Sequence, residues 1–516
     1  MDLFHSPQFS NYVKKALDSH KIPGMGVSIV QGRTIASAAF GRSSVDPSTN
    51  FTPDTLVGIG SISKSLTAAA VALLVHDNVN YPQVQYDATM SSLLPDDFVM
   101  PGEDHRDVTI EDILTHQTGM PAHEFSMFGS NAEQPDDPRS ITRNLRNLPT
   151  IAPNRSGFMY SNMMYTVASY LVEHVTGASF SDFLEKQIFQ PLKMESTSVQ
   201  PGRALAKTKG RDISVGYIWV KNTKTLKPSP YMDHPESQGA GQIITTASDY
   251  AKWIKAMVNR EGPINEDIYD ALTKKRVMED PPEDQASENP LFYGLGWQIQ
   301  IYSDYTVVSH EGGEAGSLAD NFFVPDLNFG AFIFCNANNA HNLISLVKYR
   351  LLDEAILEHQ GKVLSCINSN LESGIEPDGG LDLDFGDHDD VYHDIVQLED
   401  DLIQELCPGI KELQPQKIPL DSYTGKYWNQ GYRGIKIEDR GGQLFIDCTD
   451  RTAPFTLTFK HIYNQTKYIG YVKEAYETDT FPVKAEFVLD NNRATKVGLQ
   501  LEQIMDGYIW FERRSQ

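Results

Sequence analysis

Two kinds of period divide the first 360 residues, and their order along the chain limits the fold more than any single motif does. Met25 to Val30 and Thr34 to Phe40 are β-like runs joined across Gln31-Gly32-Arg33, which read as a hairpin. Helical patterns follow: the apolar run Ala68 to Val75, Val108 to Leu114, Met163 to Thr176 stopped by Gly177, Ser181 to Ile188, and Ser248 to Val258. From Gly296 the period returns to β, with Trp297 to Tyr302, Thr306 to Ser309, Asn321 to Val324 and Gly330 to Cys335 separated by Pro325-Asp326 and other turn residues. Strands at both ends and helices between them predict an α+β domain, one antiparallel sheet assembled from both ends and flanked by helices. An opening helix over Pro7 to Ser19, capped by Ser6, and a closing helix over Leu343 to His359 frame it.

Past this unit the chain changes character twice. Glu372 to Glu405 holds thirteen acidic residues and no Lys or Arg, about half of the formal net charge of −25. It reads as a solvated linker or insertion spanning residues 363–417 between a domain over 1–362 and a second over 418–516. Asp382, Asp384 and Asp387 with His388 and His393 are the one candidate cation cluster, but their spacing fails the calcium-loop pattern, so a charged loop and no metal are expected. Beyond Pro419, eight short strand-like runs from Gly425 to Glu512 follow at regular spacing, which predicts a small all-β barrel.

Composition then removes whole classes of function. At 516 residues, two domains are expected. The acidic balance excludes nucleic acid and anionic membranes as partners, since both require clustered Lys and Arg. The longest apolar run falls far short of the roughly 20 residues a spanning helix needs, and Met1 to Gln8 lacks a secretory pattern, so a cytoplasmic location is expected. Cys335, Cys366, Cys407 and Cys448 are widely spread, which predicts free thiols rather than a zinc site or disulfide framework.

Chemistry concentrates in Gly58-Ile59-Gly60-Ser61-Ile62-Ser63-Lys64. A helix beginning near Ser61 sets Lys64 one turn later on the same face, a serine nucleophile with a base beside it. The first helical N–H groups have no intrahelical partner and face a developing oxyanion. Ser-x-x-Lys is a weak signal alone, because Ser345-Leu346-Val347-Lys348 also matches it, with Tyr427-Trp428-Asn429 and Lys496-Val497-Gly498 following in the required order. That second set fails on context: Ser345 lies inside a helix, and the other two fall within strands of the small domain. The Ser61 set keeps a sheet and helices around it. Tyr160-Ser161-Asn162, just before a helix, supplies a phenol for proton sharing with Ser61 and Lys64, and an amide to fix Lys64 and donate to a substrate carbonyl. Ser309-His310-Glu311-Gly312-Gly313 ends a β-run, and its glycines permit close approach of an acyl group, with the Gly313 N–H a second oxyanion donor.

Together these segments resemble the serine β-lactamase and penicillin-binding protein superfamily, in its class C β-lactamase, family VIII esterase and D-aminopeptidase branch. The resemblance covers roughly residues 8 to 360, including Leu114-Thr115-His116-Gln117-Thr118-Gly119, Gly239-Ala240-Gly241 and Tyr293-Gly294-Leu295-Gly296-Trp297. The final strands resemble the lipocalin-like domain appended to some of these peptidases. The resemblance implies a β-lactamase/transpeptidase-like fold and acyl transfer through Ser61, with Lys64 and Tyr160 as the proton network. Asn162, His310, Gly312 and Gly313 would then bind substrate and oxyanion. It also implies no cofactor and a small-molecule substrate, with a barrel that borders the site mouth or an oligomer interface; a homo-oligomer is left open. His310 stands where antibiotic-binding relatives carry a lysine, so a small ester or amide, a D-amino-acid derivative among them, is expected rather than penicillin. The same residues would serve an acyltransferase, and a binding protein with an inactive site is the remote third reading.

Overall fold

In the computed structural model, the described residues are 4–209, 211, 213–229, 231–279, 289–361 and 389–515, with 389–396 as backbone only. The predicted hairpin forms between Gly24–Gln31 and Thr34–Ser44, and the returning strands Tyr305–Glu314, Ser317–Val324 and Phe329–Cys335 complete the sheet's centre. Phe329–Cys335 lies antiparallel to Gly24–Gln31, with Val27 opposite Ile333, so the two ends of the domain close on each other. Among the described residues the sheet has nine strands, because Gln298–Tyr302 lies beyond Tyr305–Glu314, and the short strands Thr49–Asn50 on one side and Phe292–Tyr293 with Val277–Met278 on the other extend its edges. Those two-residue strands carry no readable period.

One face of the sheet packs on Pro7–His20 and His341–His359, around Phe9, Val13, Val27, Ile333, Leu343 and Val347. Ser6 caps the first helix by accepting the Phe9 N–H at 3.1 Å, as the Ser-Pro start predicts. The other face carries the middle helices, with Ser63–His76 at their centre and buried through Ala68, Ala69, Ala70 and Val71. The near-continuous apolar run of this helix is that of a fully enclosed element, not an amphipathic one.

Eight antiparallel strands from Gly425 to Arg513 close into the expected barrel. Tyr423, Tyr427, Tyr468, Phe459 and Phe487 are among the residues buried there, with Tyr468 5.1 Å from Phe487 and 5.7 Å from Tyr423, so this part of the interior is a packed core. The run of acidic residues predicts a charged loop before the barrel. Over Asp389–Leu406 the structure has a helix instead, seated on the barrel through Leu402, Ile403 and Cys407 against Ile462 and Ile469. Barrel lysines compensate its charge, with Lys460 at 2.6 Å from Glu399 and Lys484 at 2.7 Å from Glu405. Asp382, Asp384, Asp387, His388, the His393 side chain and Cys366 lie outside the described residues. Among the described residues no helix is long and apolar enough to cross a membrane, and Cys335, Cys407 and Cys448 are free and buried.

Candidate active site

Ser61 sits in a tight turn. Gly60, at φ +50°, opens a 3₁₀ turn over Gly60–Ile62 that runs directly into Ser63–His76. A Cβ at Gly60 would lie 2.6 Å from the Gly313 carbonyl oxygen, and one at Gly312 would lie 2.1 Å from the Ile59 carbonyl oxygen. The turn and the strand Tyr305–Glu314 therefore meet backbone to backbone, which only glycine allows at those points. Ser61 and Gly313 both line a cavity of about 610 Å³.

Lys64 is wholly buried, and its Nζ stands 2.9 Å from Ser61 Oγ, 2.6 Å from Asn162 Oδ1 and 3.0 Å from the Ala240 carbonyl. Burial lowers its amine to about 7, against the smaller upward pull of Glu124 and Glu314. The two oxygens of Asn162 and Ala240 accept both N–H groups of a neutral amine, which leaves its lone pair for Ser61. Tyr160 OH lies 2.9 Å from Ser61 Oγ, and burial raises its phenol well above the ordinary value, so it stays protonated. Asn162 Nδ2 donates to Glu124 Oε1 at 2.8 Å, which turns Oδ1 towards Lys64 and leaves one amide N–H for the cavity.

Behind these groups stands an aromatic wall. His116, held at φ +57° in the Thr115-to-Gly119 turn, stacks on Tyr160 at 4.3 Å and packs near Tyr165 and Tyr293. Its Nδ1 accepts the Ser161 N–H and its carbonyl accepts the Met159 N–H, so this turn holds the Tyr160–Asn162 segment in place. His310 and Gly312 do not line the cavity. His310 Nδ1 donates to the Glu311 carbonyl at 2.6 Å, its Nε2 accepts from Tyr293 OH at 2.9 Å, and burial pushes the imidazole down to about 3. It is a neutral member of the wall.

The barrel forms part of the cavity directly, through Thr452, Ala453, Pro454, Glu474, Tyr476 and Glu477. The cavity is also lined by Glu314, raised by burial to about 7, and by His234, which pairs with the buried Glu236 at 3.0 Å; Thr452 Oγ1 donates to Glu236 Oε1 at 2.6 Å. Four carboxylates and no Lys or Arg line the cavity among the described residues. From sequence, the stretches 122–139 and 210–238 are expected to shape the pocket, but with no periodicity or motif nothing in them singles out Glu124 or the Tyr231–His234 segment. The decoy set comes apart: Lys348 pairs with buried Asp320 at 2.8 Å, while Tyr427 and Lys496 belong to the barrel.

Comparison with known proteins agrees with this architecture. The Beta-lactamase family model matches residues 9–352, and one for a domain of unknown function, DUF3471, matches residues 411–513. The chain is 34% identical over 459 residues to Unguisins hydrolase ungD' of Aspergillus campestris, covering 87% of this chain and 81% of that protein. The octameric penicillin-binding protein homologue from Pyrococcus abyssi superposes with a TM-score of 0.59 at 20% identity, over 99% of this chain and 100% of that one. D-amino acid amidase from Ochrobactrum anthropi SV3 does so with a TM-score of 0.55 at 21% identity, over 69% and 100%. The last two are likenesses of fold. The first, with the family match, goes further: this chain belongs to the Beta-lactamase family and is a serine hydrolase.

Proposed function

We propose that the chain hydrolyses an amide bond through an acyl ester on Ser61, with Lys64 as general base and Tyr160 as the phenol that passes the proton on. The observation that carries this reading is the Lys64 amine, lowered by burial to about 7 and 2.9 Å from Ser61 Oγ, with its two N–H groups already accepted elsewhere. Ser61 Oγ attacks the carbonyl carbon as its proton moves to Lys64 Nζ, and the Ser61 and Gly313 N–H groups stabilise the oxyanion. The proton then travels through Tyr160 OH to the leaving nitrogen, the C–N bond breaks, and water releases the acyl group by the same groups in reverse. Positioned proton transfer of this kind contributes about 10²–10⁴-fold.

The cavity's polar lining narrows the substrate. Four glutamates without Lys or Arg in the lining give an anionic acyl group such as a penicillin carboxylate no lining cation to pair with, even where burial holds Glu314 at about 7. A neutral or cationic amide fits, and unguisins, named in the 34% identical relative, are the first compounds to assay beside D- and L-aminoacyl amides. Product analysis with that panel, p-nitrophenyl esters and a chromogenic cephalosporin tests the reading. Amide cleavage with an acyl adduct on wild type and none on Ser61→Ala is expected; a cephalosporin as the best substrate, or full turnover by Ser61→Ala, refutes it.

A further inference from the structure

The segment that carries Glu124 belongs to the catalytic domain by sequence and to the barrel by contact. His123 donates its backbone N–H to Glu502 Oε2 at 2.8 Å. Its Nε2 donates to the Pro149 carbonyl at 2.9 Å, so Nδ1 is the nitrogen that accepts from Tyr432 OH at 2.7 Å. Phe125 packs on Phe455 at 4.4 Å, and the Met127 carbonyl accepts the Thr452 N–H at 3.0 Å. Glu124 lies between these holds and points the other way, to Asn162.

An isolated asparagine amide beside Lys64 could turn either edge towards it. A carboxylate accepts only, so Glu124 takes the Nδ2 edge and commits Oδ1 to Lys64. If Nδ2 faced Lys64 instead, a neutral amine would lose an acceptor and its lone pair would have no fixed direction. Resting on the reading of Ser61 and Lys64 given above, we infer that Glu124 is a positioning residue for that pair, acting through Asn162, and that the barrel holds it in place. The barrel thereby reaches the reacting groups through one continuous set of contacts: Tyr432 and Glu502, His123, Glu124, Asn162, Lys64.

Electrostatics offers a readout that a merely structural role would not move. Burial raises the Glu124 carboxyl, opposed by Asn162 and Lys64 and reinforced by Glu502 and Glu474. Around Lys64 stand Glu124 and Glu314, which raise its amine, and the neutral His116, His310, Tyr160 and Tyr165. Removing the Glu124 charge removes one of the two upward pulls, so the Lys64 amine falls further.

The test is the pH dependence of kcat/KM in the full-length chain, for wild type, Glu124→Gln and Tyr432→Phe, with thermal melting to establish folding. Glu124→Gln is expected to lose about 10- to 100-fold on the plateau, as a misplaced reacting group does, and to shift its acidic limb to lower pH. Tyr432→Phe keeps the carboxylate but leaves His123 Nδ1 unpaired, and is expected to lose several-fold without moving the limb. A folded Glu124→Gln with wild-type plateau and limb overturns the inference. Should Glu124→Gln fail to fold, wild-type kcat/KM in Tyr432→Phe overturns it. Ser61 labelling of wild type by a fluorophosphonate probe separates the two levels: with no adduct the acyl-Ser61 reading itself fails, whereas an adduct beside unaffected variants sinks this inference alone.

Discussion

Lys64 carries the sharpest expectation because its neighbours leave it one use. A base must be neutral to accept a proton, so kcat/KM should rise as pH passes about 7, where burial holds the Lys64 amine, and level off above it. A profile flat from pH 5 to 9, or one rising only towards pH 10 where a phenol ionises, would remove Lys64 as the base. Lys64→Arg keeps a charge but has no accessible neutral form, and should lose at least about 10³-fold in a protein that still melts cooperatively. Tyr160→Phe removes only the relay hydroxyl and should lose about 10²-fold in kcat, with KM nearly unchanged; wild-type kcat would remove Tyr160 from the path. Ser61, Lys64, Tyr160 and Asn162 were legible because short local spacing and flanking elements dictate their placement. Glu124 and Glu314 were not, since a carboxylate in a short turn or at the end of a strand looks like any solvated acid until the fold surrounds it.

The elements show the same division between local rule and distant contact. The helices Asn162–Thr176 and Ala247–Asn259 follow the sequence closely because caps and periods mark them: Gly177 ends the first at φ +68°, and Thr246 opens the second by accepting the Asp249 N–H at 3.0 Å. For Asp389–Leu406 the acidic count hid a short apolar stripe at Leu402, Ile403 and Leu406, continued by Cys407 just past the helix and spaced to fall on one helical face. The barrel, not the stretch itself, makes that face worth burying. Gly312 shows how an element can position chemistry without touching it. A methyl group there meets the Ile59 carbonyl oxygen at 2.1 Å and must push the strand Tyr305–Glu314 away from the Ser61 turn. Gly312→Ala should therefore cost about 2 kcal/mol or more and most of the activity. Gly202 in the helix Pro201–Lys207 has nothing within 4 Å of such a methyl, and Gly202→Ala should gain about 0.4–1 kcal/mol with activity retained. Denaturant midpoints and kcat for the pair decide the point; equal behaviour would mean the strand yields freely.

Across the chain, the seam between the family domain and the barrel is what the sequence conveyed least, because docking depends on side chains that meet only after both units have folded. Its centre is Phe128, whose ring lies under two guanidinium groups, Arg451 at 3.5 Å and Arg433 at 4.0 Å, with Arg433 paired to Asp136. Arg451 is nearly wholly buried, and its Nη2 donates to the Tyr432 and Gly434 carbonyls, so its charge rests on the aromatic face, on those two oxygens and on the Asp450 carboxylate 3.9 Å from its Nε. Two like charges over one ring repel each other, so the stacking is stable while Asp136, Asp450 and the ring offset that repulsion. Removing the ring with Phe128→Ala leaves a void beside a buried cation, and truncations of this size cost about 3–5 kcal/mol. Only part of that loss falls within either unit; the rest falls on the coupling between them. Wild type is therefore expected to unfold in urea in one transition, and Phe128→Ala in two, with the released Glu124 segment lowering activity before the first transition is complete. A single Phe128→Ala transition at the wild-type midpoint would mean that the seam contributes little, and that the barrel borders the cavity without holding it.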